Sequence, residues 1–165
     1  MKKALFVIDT QNYFINDVTK NLPGKIARYI KRHRREFALI VFTNFVNHPA
    51  SSAYRFLGWK KSRTSPDIDI VPELQPLLKY GVSMSKDVYS ALKVPEIKTL
   101  LKKKKIQELL LCGLDTDCCI LATAYDAFDQ GYRVKLLEDL CMSSTGDILH
   151  EAALSMFKRT VGAKN

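Results

Sequence analysis

No stretch of this sequence approaches the roughly 20 consecutive apolar residues that a membrane-crossing helix needs, which excludes a helical span. Histidine is scarce, at three residues, and the four cysteines (Cys112, Cys118, Cys119 and Cys141) contain no Cys-x-x-Cys pair. That excludes a zinc knuckle, and unpaired cysteines in a reducing compartment point to packing or to a reactive thiol. Repeats, low-complexity tracts and a second-domain linker are all missing, so a single domain over residues 1–165 is expected. The basic start Met1-Lys2-Lys3 runs into an apolar stretch broken by Asp9, Gln11 and Asn12, which is no secretory signal. A soluble cytoplasmic protein is the expectation.

What the chain does have is ample material for a core: 165 residues, of which 47% are hydrophobic and 26% charged. Neither disorder nor dependence on disulfides or metals fits that balance. Lys and Arg outnumber Asp and Glu by 26 to 17, a formal charge of +9. Such a surplus can attract a polyanion. Yet the charge is concentrated in Lys31-Arg32-His33-Arg34-Arg35 and Lys102-Lys103-Lys104-Lys105, each at the end of an expected helix, where cations complement the dipole. Without a helix-turn-helix, RNA-recognition or zinc motif, a nucleic-acid partner is the weaker reading.

Apolar runs at Ala4–Ile8, Ala38–Phe42 and Ile106–Cys112 read as strands buried on both faces, with a shorter strand at Gly81–Lys86 and another at Tyr132–Leu137. Between them, helical periodicity covers Lys25–Phe37, Pro95 to about Lys103, and Asp117–Gln130, the last stopped by Gly131. A final helix is expected over Asp147–Lys158. A long irregular stretch with five proline or glycine breaks follows the second strand, and loops of that length are usually functional. Strands alternating with helices predict an α/β fold with a parallel sheet covered on both faces. Ligands of such sheets bind beyond the carboxyl ends of the strands. The polar residues there are Asp9, Asn44, Lys86, the segment Gly113–Cys119, and Glu138-Asp139, the last two assigned to loop geometry.

Asp9, Lys86 and Cys119 carry the strongest chemical reading. Each follows a strand, so all three can reach one crevice. A thiol attacks as thiolate, and a neighbouring lysine and a helix N-terminus both favour that form. A carboxylate beside the lysine can take the thiol proton and pass it to a leaving amine. Successive helical residues point about 100° apart, which places Cys118 away from Lys86, against the sheet or a loop.

The segments Val7-Ile8-Asp9-Thr10-Gln11-Asn12-Tyr13-Phe14, Lys86-Asp87-Val88-Tyr89-Ser90-Ala91-Leu92 and Gly113-Leu114-Asp115-Thr116-Asp117-Cys118-Cys119-Ile120 resemble the isochorismatase-like cysteine hydrolases. That superfamily includes nicotinamidases, N-carbamoylsarcosine amidases and isochorismatases. Thr123-Ala124-Tyr125-Asp126-Ala127, Gly131, His150, Ala153-Leu154 and Met156 extend the likeness over nearly the whole chain. The resemblance implies a three-layer α-β-α fold with a six-stranded parallel sheet in the order 3-2-1-4-5-6. It implies a catalytic triad of Asp9, Lys86 and Cys119, a cis peptide at Leu114-Asp115, and an oxyanion hole from the backbone amides of Asp115 and Cys119. It also implies a homo-oligomer, either dimer or tetramer.

Departures from the family pattern matter too. Family nicotinamidases hold a divalent metal through an Asp and two His after the second strand. Here that loop reads Thr43-Asn44-Phe45-Val46-Asn47-His48-Pro49, with Phe45 at the carboxylate position and only His48 able to ligate. A single imidazole makes a poor site, so no metal and no cofactor are expected, and His48 reads as a loop hydrogen-bonder. Gln11, Asn44, Trp59 and Tyr89 are candidate pocket residues, with Phe56 and Tyr54 as further aromatic neighbours. The reaction expected is hydrolysis of a small amide, carbamoyl or related C–N substrate through a Cys119 thioester. Cleavage of a vinyl ether, and a catalytically silent binding or scaffold role, stand as alternatives.

Overall fold

The computed structural model describes residues 1–162. Five strands form a single parallel sheet: β1 (Lys3–Ile8), β2 (Leu39–Phe45), β3 (Val82–Lys86), β4 (Glu108–Gly113) and β5 (Arg133–Cys141), in the order β3-β2-β1-β4-β5. Pairing is parallel throughout, with Leu5 beside both Ile40 and Leu110 at the centre. β1 and β4 are the most continuously apolar strands and are buried almost end to end. A parallel sheet must be covered on both faces. The chain adds five helices: α1 (Leu22–His33), α2 (Ser52–Leu57), α3 (Pro95–Lys104), α4 (Leu121–Asp129) and α5 (Asp147–Thr160), of which α2 is a short turn in the connection after β2. Ile26 and Ile30 of α1, Ile97 and Leu101 of α3, and Ala124 and Ala127 of α4 pack into the core.

The expected strand order holds over five strands, but a sixth is missing among the described residues. After β5 the chain forms only α5, which leaves no extended segment to add to that edge. β5 is also longer than the apolar run Tyr132–Leu137. Its pairing slips between Leu111 and Gly113, and that irregularity lets the strand continue to Cys141. Glu138 and Asp139 therefore lie within a strand and not in a loop, and Glu138 accepts a 2.7 Å ion pair from Lys158 of α5.

The basic clusters fall where dipole complementarity puts them. Lys31, Arg32 and His33 form the last turn of α1, and Lys102, Lys103 and Lys104 the last turn of α3. The long irregular stretch is partly ordered by α2, whose N-cap Ser51 accepts a hydrogen bond from the Tyr54 amide. No helix among the described residues is long and apolar enough to cross a membrane.

Candidate active site

β1 ends at Ile8, and the chain turns at once, with Asp9 in the left-handed region at φ 44°. β3 ends on Lys86 itself. Beyond β4, a short π-helical turn over Thr116–Ile120 carries Cys119 and leads directly into α4. Three strand ends on one side of the sheet thus bring together residues separated by up to 110 positions. The Lys86 ammonium donates to Asp9 Oδ2 at 2.6 Å, to the Val88 carbonyl at 3.0 Å and to Cys119 Sγ at 3.4 Å. The side chains of Asp9 and Lys86 are both 0% exposed.

A buried ion pair persists only where its remaining hydrogen-bonding capacity is met. The other Asp9 oxygen accepts from Thr43 Oγ1 at 2.7 Å, and the Asp9 amide donates to the Thr43 carbonyl. Phe45 places its ring 5.1 Å below the ammonium, a cation–π contact on the remaining side. Burial alone favours neutral Lys86, but Asp9 and Cys119 together hold its pKa above the usual lysine value. The lysine stays charged.

Cys119 behaves differently from the expectation that Lys86 would make it a thiolate. Its hydrogen bond with Cys118, its burial and the Asp9 charge push the thiol well up, against the opposing pull of Lys86. Cys118 is held lower than a free thiol, chiefly by the same hydrogen bond. Both cysteines line one cavity of about 160 Å³, walled by Phe14, Phe45, Trp59 and Tyr89. Cys118 packs partly against the core, as expected, but it also faces the cavity. The π turn is wider than an α turn, so neighbouring side chains diverge less, and Cys118 stays half-buried on the cavity wall.

The remaining sequence candidates separate into two groups. Trp59 and Tyr89 line the cavity, as does Asp115; Trp59 is fixed by its indole N–H donating to the Tyr13 hydroxyl at 3.1 Å. Gln11 lies elsewhere: fully buried, it accepts from the Phe45 amide at 2.6 Å and donates to the Phe45 carbonyl at 3.0 Å and Ser62 Oγ at 2.9 Å. Asn44 also ties backbone together, donating to the Ile68 carbonyl and accepting from Ser85 Oγ. Both anchor the loop that roofs the cavity. Phe56 and Leu57 stand on the outer side of a second hollow, of about 360 Å³, which shares Phe45, Leu57 and Tyr89 with the first. Tyr54 is absent from the lining of either.

Sequence reasoning missed two hydroxyls. Thr43 holds Asp9, and Thr123 donates to the Cys119 carbonyl at 2.7 Å while accepting from the Ala91 amide. Thr43 was discoverable, since it sits at a strand end beside an expected carboxylate. Thr123, on an apolar helix face, had no such signal.

The loop after β2 does not fit a metal. Asn47 is buried, its amide donating to the Trp59 and Lys61 carbonyls and its oxygen engaged by Ser51. His48 Nε2 meets Asp87 Oδ2 at 2.8 Å, while Nδ1 accepts from the Ala50 amide. With Phe45 apolar, His48 has no convergent anionic partner from its own loop. No group of three His, Cys, Asp or Glu side chains capable of holding a metal occurs among the described residues.

The peptide Leu114-Asp115 is cis. The Asp115 carboxylate turns away to Ser144, accepting from its amide at 2.7 Å and its hydroxyl at 2.9 Å. Burial nevertheless raises its pKa to about 6, against the lowering by those bonds. A carboxyl raised in the folded state binds its proton more tightly there than in the unfolded chain. Its stabilising contribution is therefore complete below pH about 4 and lost as pH rises through 6. Asp115→Asn should remove this dependence. Urea midpoints at pH 4 and pH 7 should show wild type losing up to about 3 kcal/mol relative to the variant; equal pH profiles would contradict the assignment.

A family model for the isochorismatase domain matches residues 3–164. The chain belongs to the isochorismatase family. Nicotinamidase 3 of Arabidopsis thaliana is 30% identical over 92% of this chain and 78% of its own length. The solved nicotinamidase of Bacillus subtilis superposes with a TM-score of 0.88 at 26% identity, covering 99% of this chain and 98% of that one. The N-carbamoylsarcosine amidase of Thermoplasma acidophilum gives 0.86 at 25% identity, covering 99% and 95%.

Proposed function

We propose that this isochorismatase-family protein is a cysteine hydrolase of a small amide or carbamoyl compound, with Asp9, Lys86 and Cys119 as its catalytic residues. The observation that carries the reading is the buried Lys86 ammonium bonded at once to Asp9 and Cys119. Three polar groups sealed from water at strand ends are costly to retain for packing alone. Amide cleavage in two relatives supports the reaction type.

In the resting site Cys119 carries its proton, so a base is required. Asp9 is that base, with Lys86 bridging the carboxylate and the sulfur. As Asp9 takes the proton, Sγ adds to the substrate carbonyl, and the Lys86 charge stabilises the sulfur as it loses that proton. The backbone amides of Asp115 and Cys119 receive the developing oxyanion. Asp9 returns its proton to the leaving nitrogen, the C–N bond breaks, and a thioester on Cys119 remains. Asp9 then takes a proton from a water as its oxygen adds to the thioester carbonyl; the C–S bond breaks, the acid leaves, and the proton returns from Asp9 to the Cys119 sulfur. The apolar cavity of about 160 Å³ suits a compact substrate and limits bulk water.

The test is mass spectrometry of the Cys119 peptide after rapid quench with a panel of small amides. An acyl mass on Cys119 is expected, and it identifies the acid half of the substrate. Turnover of any amide with no acyl adduct and with full activity in Cys119→Ala would overturn the thioester route. Turnover should also persist after exhaustive EDTA treatment, because no proposed step uses a metal; loss reversed by zinc, iron or manganese would contradict that.

A further inference from the structure

The proposed hydrolysis uses one thiol, yet the cavity presents two. Cys118 and Cys119 are adjacent in sequence and share the wall of the same cavity. Cys112 and Cys141, by contrast, are fully buried in strands and bond backbone carbonyls of the sheet. Tyr89, in the lining of the same cavity, is 42% exposed.

We infer that Cys118 and Cys119 form a dithiol site that chelates a monosubstituted trivalent arsenical through both sulfurs, with its organic group seated among Phe14, Trp59 and Tyr89. Sulfur is a soft donor that selects soft acceptors over hard ones. Two such donors on one short segment bind with a high effective concentration for the second bond. Direct oxidation to a disulfide is a poor alternative. Adjacent Cα atoms are about 3.8 Å apart, closer than the 4.4–6.8 Å range usual for disulfides, and the pair sits in a helical turn. Inserting an arsenic atom between the sulfurs lengthens the bridge and relieves that constraint.

The step balances without an oxidant. An arsenoxide, R–As=O, and two thiols give R–As(S–)₂ and one water: two As–S bonds form, the As–O bond is lost, and both thiol protons leave on oxygen. Lys86 remains charged at 3.4 Å from Cys119 Sγ and assists loss of that proton. The aromatic walls favour a phenyl substituent over a hydroxyl one.

Phenylarsine oxide at one equivalent is the probe. Intact mass should rise by the mass of the arsenical less one water, and proteolysis should place the adduct on the peptide bearing both Cys118 and Cys119. The adduct should survive a large excess of a monothiol and be stripped by a dithiol. Cys118→Ser should lose the adduct to monothiol at least tenfold faster than wild type. An adduct on another peptide, a wild-type adduct removed readily by monothiol, or equal retention by Cys118→Ser would each overturn the inference. None of these readouts requires turnover, so failure here leaves the hydrolase reading standing, and failure of that reading leaves this one testable.

Discussion

Asp9→Asn should lower amide turnover at least about a hundredfold, the scale of a general acid–base group, and should destabilise the protein as well. The second effect arises because Lys86 is buried with its side chain fully sealed and would lose its counter-charge. Removing one partner of such a pair typically costs about 3–5 kcal/mol. Loss of activity alone would therefore be ambiguous. The double variant Asp9→Asn, Lys86→Met separates the two effects, since replacing both charges removes the uncompensated cation. Thermal or urea unfolding should show the double variant recovering most of the stability lost by Asp9→Asn. Its turnover should remain as low as that of the single variant. Activity above about a hundredth of wild type in either protein would remove Asp9 from the mechanism.

Gly113→Ala should be the most damaging small substitution in the chain. Gly113 ends β4 at φ +116°, a conformation that side-chain-bearing residues rarely adopt. A Cβ there would lie 2.0 Å from the Ile8 carbonyl oxygen and 2.7 Å from the Ile8 nitrogen. Those are backbone atoms of the central strand, and Ile8 pairs with Gly113 in the β1–β4 ladder. Neither strand can retreat without breaking the sheet beside Asp9. A loss of at least about 4 kcal/mol is expected, the range reserved for severe steric or backbone faults. Since domains of this kind are stable by only about 5–15 kcal/mol, the variant should express poorly or unfold at low urea. Gly131→Ala is the control: φ is +82°, but open space surrounds the added methyl. It should cost about 1–2 kcal/mol from conformational strain alone. Similar losses at the two glycines would show that the close β1–β4 approach is not what Gly113 serves.

The parallel α/β architecture was legible in the sequence because buried parallel strands are apolar without alternation. Ala4–Ile8 and Leu109–Cys112 are such runs, each followed at once by a polar residue or glycine. The same logic drew attention to Asp9, Lys86 and the segment before Cys119, since residues that end buried strands must lie at the rim. The helix ends marked by lysine and arginine clusters were equally readable, because the dipole is a local property of the chain. Tertiary structure alone decided the rest. Gln11 and Asn44 looked like ligand-facing amides, but backbone and hydroxyl groups between Phe45 and Ser85 consume their hydrogen bonds, and no local pattern records partners 24 to 56 residues away. The extent of β5 depended on a slip in its pairing with β4, a feature of two strands and not of one. The sign of the Cys119 shift was the clearest case. Composition supplied a lysine that favours thiolate, whereas burial, Asp9 and the neighbouring Cys118 outweigh it once the fold brings them within reach. Propensity and hydrophobic period are carried by the chain itself, but desolvation and mutual charge exist only when distant residues meet.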